Sequence, residues 1–107
     1  MEYLQLYGVS KPVSRLGMGT MVLSTKDLSF SHSLLDRFVE LGGTLIDSAH
    51  VYGGGDCERA LGIWLKARQN RGQVVILDKG AHPYGRDRVT PEDMRSDIND
   101  NLERTGA

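Results

Sequence analysis

Along this chain, three short apolar runs alternate with stretches whose apolar residues return every three or four positions. Short runs of this kind read as strands and the 3.6-residue period as helices. The first run is Leu16-Gly-Met-Gly-Thr-Met-Val-Leu23, followed after a polar loop by a predicted helix over Ser31 to Leu41. There Leu34, Leu35, Phe38, Val39 and Leu41 fall on one side, Asp36, Arg37 and Glu40 face out, and Gly42-Gly43 stops the helix. The second run is Thr44 to Asp47, and its helix runs from about Cys57 to Ala67 with Ala60, Leu61, Trp64 and Leu65 as the apolar face. The third, Val74-Val-Ile-Leu77, is short and β-branched, which favours strand. Its helix opens at Thr90-Pro91-Glu92-Asp93: an N-capping Thr, Pro at the first helical position, acids in the first turn. Met94, Ile98 and Leu102 then recur every four residues as its apolar stripe, and Gly106 is the expected stop.

The order strand, helix, strand, helix, strand, helix predicts an α/β fold with parallel strands and helical crossovers. Strand starts near Leu16, Thr44 and Val74 lie about 28 and 30 residues apart, the spacing of successive βαβ units. A fourth strand is due at roughly 104 to 108. Ahead of these units, Tyr3 to Gly8 and Pro12 to Leu16 read as a hairpin joined by Val9-Ser10-Lys11. No linker or low-complexity tract interrupts residues 1–107, so one unit is expected. Helices on one side of such a sheet leave the other face open, with Leu45, Val75 and Leu77 on it and self-association through face and edges as a consequence. A compact open sandwich with helices on both faces is the alternative architecture.

Composition narrows the function. Hydrophobic residues are 39% and charged residues 25%, and 13 Lys and Arg against 14 Asp and Glu leave a net charge of −1. This is globular composition without the basic excess that nucleic acid or an anionic membrane demands. The longest apolar run is far short of a membrane span, and Met1-Glu2-Tyr3-Leu4 lacks the pattern of a signal peptide. A lone cysteine, Cys57, fits a reducing compartment; the expectation is a cytoplasmic protein. His32, His50 and His82 have no zinc-like spacing with Cys57, so no metal is expected. Cys57 falls in a first helical turn, where a thiol pKa can drop, but with no base paired to it a packed thiol is the preferred reading.

In parallel α/β folds, functional groups gather at the carboxyl ends of strands. Asp47 closes the second strand, Tyr52 lies five residues on in its loop, and Lys79 closes the third. Alternation places Asp47 with Leu45, and Lys79 with Val75 and Leu77. If the two faces coincide, an acid, a phenol and an amine meet at one rim. A tyrosine is a weak proton donor unless its anion is stabilised; an adjacent lysine cation does that, and an aspartate holds the lysine. Such a trio suits reduction of a carbonyl, with a nicotinamide supplying hydride and the tyrosine the proton. From spacing alone, a turn tyrosine and a solvated lysine remain open alternatives. Gly17-x-Gly19 follows a strand, but Val22 stands where a dinucleotide fingerprint needs its third glycine.

Three segments resemble the start of an aldo-keto reductase: Val13-Ser-Arg-Leu-Gly-Met-Gly-Thr-Met21, Leu45-Ile-Asp-Ser-Ala-His-Val-Tyr-Gly53 and Leu77-Asp-Lys79. Cys57-Glu-Arg-Ala-Leu-Gly62 is similar to the Ser-Glu-x-x-Leu-Gly helix that follows in that family. The resemblance implies a partial (β/α)8 TIM barrel, an N-terminal hairpin plus three βα units, with the chain ending before the fourth strand. It implies reduction of aldehydes or ketones with NADPH, NADH remaining open, in a full-length protein of which this chain is an incomplete piece inactive alone. Carried over by position, Tyr52 is the proton donor, Lys79 its pKa-lowering partner and Asp47 the ion-pair partner of the lysine. Gly19, Thr20 and Met21, with Asp47, lie near the nicotinamide-ribose end of the cofactor. A non-catalytic NADPH-binding or regulatory subunit on the same scaffold is the alternative. Asp78 departs from the Ser or Thr common before the lysine, and its side chain is expected on the opposite face. The catalytic histidine of the family lies at the end of the fourth strand, beyond Ala107, and His82 is a weak candidate to replace it.

Overall fold

A computed structural model describes residues 1–107. Two short strands, β1 (Tyr3–Leu4) and β2 (Val13–Ser14), pair antiparallel as the expected hairpin. Then come β3 (Gly17–Gly19), α1 (Leu28–Glu40), β4 (Leu45–Asp47), α2 (Asp56–Arg68), β5 (Val75–Leu77) and α3 (Pro91–Thr105). The three later strands form one parallel sheet in the order β3-β4-β5, with Gly19 beside Asp47 and Asp47 beside Leu77. The hairpin sits at the opposite end of this sheet from the strand carboxyl ends. Ser14 Oγ there accepts from the Thr44 and Leu45 amides at 2.9 and 3.0 Å. No helix is long and apolar enough to cross a membrane.

Sequence periodicity accounts for the core. Ile46 from β4 and Val74, just before β5, meet Leu23, Leu35, Ala60, Leu61, Trp64 and Leu65. Each large side chain removed from water here contributes about 1.5–3 kcal/mol. The Trp64 indole donates to Asp36 Oδ1 at 2.7 Å, and Arg68 grips the same carboxylate, so the one polar atom of the ring is satisfied at the edge of the core. On the other sheet face Leu77 is exposed and Leu45 and Val75 are half-buried, as expected of a sheet covered on one side.

Three expectations need correction. The first strand is Gly17–Gly19, not Leu16 to Leu23, because the chain turns after Thr20 and sends Leu23 back into the core. Helix α1 begins at Leu28 rather than Ser31, since the Asp27 side chain caps it by accepting from the Phe30 amide, and Leu41 is an exposed residue just past its end. The largest departure is in α3. Its apolar stripe, Met94, Ile98 and Leu102, is exposed, while Asp93, Asp97, Asn101 and Thr105 are buried. Partners for this polar face come from outside the helix. Arg86 takes Asp93 in a two-pronged pair, Arg88 takes Asp97 at 2.8 Å, and the Ala81 amide donates to Asp97 at 2.9 Å. Helices α2 and α3 approach so closely at Gly62 that a Cβ there would lie 2.3 Å from the Arg104 carbonyl oxygen.

Candidate functional site

Parallel pairing continues past the strands and builds a rim. The Thr20 amide donates to Asp47 O at 3.0 Å, the Ser48 amide to Leu77 O at 2.9 Å and the His50 amide to Lys79 O at 2.8 Å. Asp47 and Lys79 therefore project from adjacent chain segments on the open face, and their carboxylate and ammonium form an ion pair. Ile46, one residue before Asp47, is fully buried on the helix-covered face, as alternation requires. Tyr52 begins a single turn, Tyr52–Gly55, in which Gly53, Gly54 and Gly55 take φ of 58°, 63° and 97°. A side chain is strained in that left-handed region, so the glycines let the loop fold back at once. The Tyr52 ring centroid ends 5.1 Å from Lys79 Nζ, within cation–π range.

Burial alone would lower the Lys79 pKa. The hydrogen bond and charge of Asp47, with the adjacent Tyr52, outweigh it and raise the pKa above its ordinary value. Lysine thus stays cationic between an acid and a phenol. Asp47, Tyr52 and Lys79, scattered over 33 positions of sequence, are brought together.

The candidate cofactor residues are divided. Gly19 ends β3 beside Asp47 with open space around it, where an added Cβ would meet nothing within 4 Å. Met21 is exposed nearby in sequence. Thr20 is fully buried: its hydroxyl donates inward to Ser48 Oγ at 2.8 Å, its amide donates to Asp47 O at 3.0 Å and its carbonyl accepts from the Leu23 amide at 3.0 Å, so all its polar groups are engaged within the chain. Cys57 is a packed thiol. Burial raises its pKa, assisted by the Asp56 charge, and its Sγ points at Leu23 O. The lowered thiol pKa that its helical position allowed does not occur. His82 is exposed and lines a cavity with His50, Tyr84, Arg88 and Arg104 rather than joining Tyr52.

Sequence reasoning missed what lies behind the lysine. Glu58 is fully buried, and its Oε2 accepts from Arg104 at 2.8 Å. The same Arg104 nitrogen donates to His50 O at 2.9 Å. Oriented by its partners, the Asn101 amide donates to Glu58 Oε1 at 2.7 Å. Asp78 is partly buried; burial first and then the Glu58 carboxyl raise its pKa to about 7. The signal in the sequence is Glu58 itself, an acid in the Cys57–Gly62 motif next to the apolar face of α2. Nearby, His50, Asp97 and Asp100 gather their ligand-type atoms within 4.8 Å. Arg88 is already bound to Asp97 and Arg104 lies 3.8 Å from Asp100, so guanidinium cations neutralise this cluster.

The chain is similar in sequence and in fold to known proteins. Norsolorinic acid reductase A of Aspergillus parasiticus is 37% identical over 97 residues, covering 83% of this chain and 24% of that protein. Aryl-alcohol dehydrogenase (NADP(+)) of Phanerodontia chrysosporium is 43% identical over 70 residues, 65% of this chain and 17% of the other. Among solved structures, the holo form of an aldo-keto reductase from Bacillus halodurans superposes with a TM-score of 0.81 at 28% identity, covering 100% of this chain and 37% of that one. A Pseudomonas aeruginosa protein described as a putative aldo-keto reductase matches with the same score and identity over 98% of this chain and 42% of its own. The chain thus spans about a quarter or less of the length of these two curated relatives. Residues 15–107 match the sequence profile of the Aldo/keto reductase family, and the chain belongs to that family.

Proposed function

We propose that this chain carries the proton-donating side of a (β/α)8-barrel carbonyl reductase that uses NADPH, or NADH in its place, to reduce aldehydes or ketones. One observation carries the reading: Lys79 is held between the Asp47 carboxylate and the Tyr52 ring at the open carboxyl-end rim. Tyr52 Oη gives its proton to the carbonyl oxygen of the substrate. Lys79 stabilises the phenolate left behind, and Asp47 keeps the ammonium in place through the transfer. The proton on Tyr52 is restored from solvent after the alcohol leaves.

The rim fits a nicotinamide cofactor. Open space at Gly19, beside Asp47, leaves room for a flat ring, with exposed Met21 at its border and buried Thr20 tying β3 to β4 behind it. When bound, the reduced nicotinamide supplies the hydride that the carbonyl carbon gains. The activity is proposed for the closed barrel, because this chain spans only 24% of one reductase relative and 37% of one structural neighbour. In that barrel further strands wall off the face bearing Leu77, and a neighbouring helix covers Met94, Ile98 and Leu102. The isolated 107 residues, lacking water exclusion, are expected to turn over no substrate. Relatives named for an aryl alcohol and for norsolorinic acid make an aryl aldehyde the first substrate to try.

The test is Tyr52→Phe in the protein with its complete barrel, assayed by cofactor oxidation with an aryl aldehyde. Loss of the proton donor should reduce turnover by about 10²–10⁴-fold. A Phe variant with full activity overturns the assignment.

A further inference from the structure

Nothing inside the loop after β4 fixes where the Tyr52 phenol stands. Tyr52 is followed by three glycines with positive φ, the residue type whose backbone is freest, and an added Cβ at Gly54 would meet nothing within 4 Å. Rigidity has to come from outside the loop, and α3 supplies it through one side chain. Arg104, in the last turn of α3, donates from Nη1 to His50 O at 2.9 Å, two residues before Tyr52. Three residues after Tyr52, Gly55 lies against the same guanidinium: a Cβ there would fall 2.7 Å from Arg104 Cζ and 2.8 Å from Nε. Both ends of the tyrosine loop therefore rest on Arg104. The His50 amide in turn donates to Lys79 O at 2.8 Å, which joins the loop to the segment that carries the lysine.

We propose that Arg104, held by Glu58, is a positioning residue that clamps this loop and keeps the Tyr52 ring beside Lys79 Nζ. The proposal rests on the reading of Tyr52 and Lys79 as the proton-donating pair.

Glu58 is what makes the clamp firm. It is fully buried, its Oε2 accepts from the same Arg104 nitrogen at 2.8 Å, and its Oε1 accepts from Asn101 at 2.7 Å. The two hydrogens of one terminal arginine nitrogen thus serve a carboxylate and a main-chain carbonyl together. A lysine ammonium ends one bond short of that nitrogen and has no flat face to lay against Gly55. With a carboxylate and a carbonyl competing for it, the charge-assisted bond to Glu58 wins. Arg104→Lys therefore separates the two roles, keeping a cation beside Glu58 while releasing His50. Arg104 also borders two cavities, one with His50 and Gly54 and one with Gly62 and Thr105. A small cation has a way in once the side chain is removed.

The experiment uses the protein with its complete barrel, labelled at the lysine ε-carbons, and compares wild type with Arg104→Lys and Arg104→Ala. The Tyr52 ring centroid lies 5.1 Å from Lys79 Nζ, so the ring current shifts the adjacent ε-methylene and makes it a reporter of ring placement; Tyr52→Leu identifies the signal. Arg104→Lys should fold, lose most of that shift and show kcat for an aryl aldehyde reduced roughly tenfold with KM unchanged, since a displacement of ~1 Å costs ~10²-fold and a smaller one less. Arg104→Ala should lose about 10²-fold. Guanidinium at millimolar concentration should restore part of its kcat and of the Lys79 shift, and ammonium at the same concentration should not. Guanidinium otherwise only weakens a fold, so restoration reports a refilled site. Where Arg104→Ala does not fold, Arg104→Lys decides alone. A folded Arg104→Lys with wild-type kcat, or one whose kcat falls while the Lys79 signal stays, overturns the positioning role even if Tyr52→Phe is inactive. So does a folded Arg104→Ala that guanidinium fails to rescue or that ammonium rescues equally. A Lys79 signal that moves in a protein whose Tyr52→Phe variant keeps full activity retains the clamp and removes the catalytic reading.

Discussion

Substituting Gly62→Ala sets two opposing effects against each other, and the structure decides between them. Gly62 lies inside α2, where alanine is preferred over glycine by about 1 kcal/mol on backbone entropy. Against this, the new Cβ would lie 2.3 Å from the Arg104 carbonyl oxygen and 3.1 Å from Thr105 Cα. Both neighbours are main chain of α3 and cannot rotate aside. Ordinary contact begins at 3.4 Å, so the last turn of α3 must retreat by about an ångström. Overpacking of that kind costs roughly 1–3 kcal/mol, and the last turn also holds Arg104 against buried Glu58. We expect a net loss of about 1–2 kcal/mol, and for a domain of this size a fall in Tm of several degrees, at about 4–8 °C per kcal/mol. Urea unfolding followed by Trp64 fluorescence measures it. Gly72→Ala is the control, since a Cβ there meets nothing within 4 Å and its φ is ordinary. It should be neutral or slightly stabilising, by up to about 1 kcal/mol. A Gly62→Ala protein as stable as the wild type would refute the claim that α2 and α3 touch through this residue.

Arg104→Met should leave the fully buried Glu58 without its cation, at a cost of about 3–5 kcal/mol at neutral pH by urea unfolding. Adding Glu58→Gln should recover part of that loss; no recovery would mean that Arg104 acts only by packing. Asp93 is held well below the usual carboxylate range, first by its hydrogen bond to Arg86 and then by Thr90, and Asp97 is lowered by Arg88. Their depressed folded pKa values give stability that is present above about pH 4 and lost as pH falls below it, so Asp93→Asn should weaken the protein at pH 7 and flatten its acid limb. Asp78 has the opposite sign: raised to about 7, it favours folding when protonated, and that contribution is lost as pH rises from about 4 to 7. Asp78→Asn should therefore gain stability relative to wild type as the pH is raised from 5 to 8, and an unchanged difference would count against a raised carboxyl.

Local pattern determined a good deal of this protein. The period of Ala60, Leu61, Trp64 and Leu65 marks the face that α2 buries, and the β-branched run at Val74 and its alternation mark a strand. Thr90-Pro91 and Gly106 bound α3 at the observed residues, because capping is chemistry between near neighbours. Alternation put Asp47 with Leu45 and Lys79 with Val75 and Leu77, and the register of β4 against β5 then brought the two faces together. Tertiary structure alone decided which side of α3 faces inward. Met94, Ile98 and Leu102 form the more apolar stripe, yet Asp93, Asp97 and Asn101 are buried because Arg86 and Arg88, from the loop just before the helix, and Glu58, from α2, meet them. It also tied buried Glu58 through Arg104 to the loop before Tyr52. Periodicity reports how apolar each face of a helix is. Whether a polar face can be buried depends on partners brought by the fold, since a charge with a partner can leave water and a charge without one cannot.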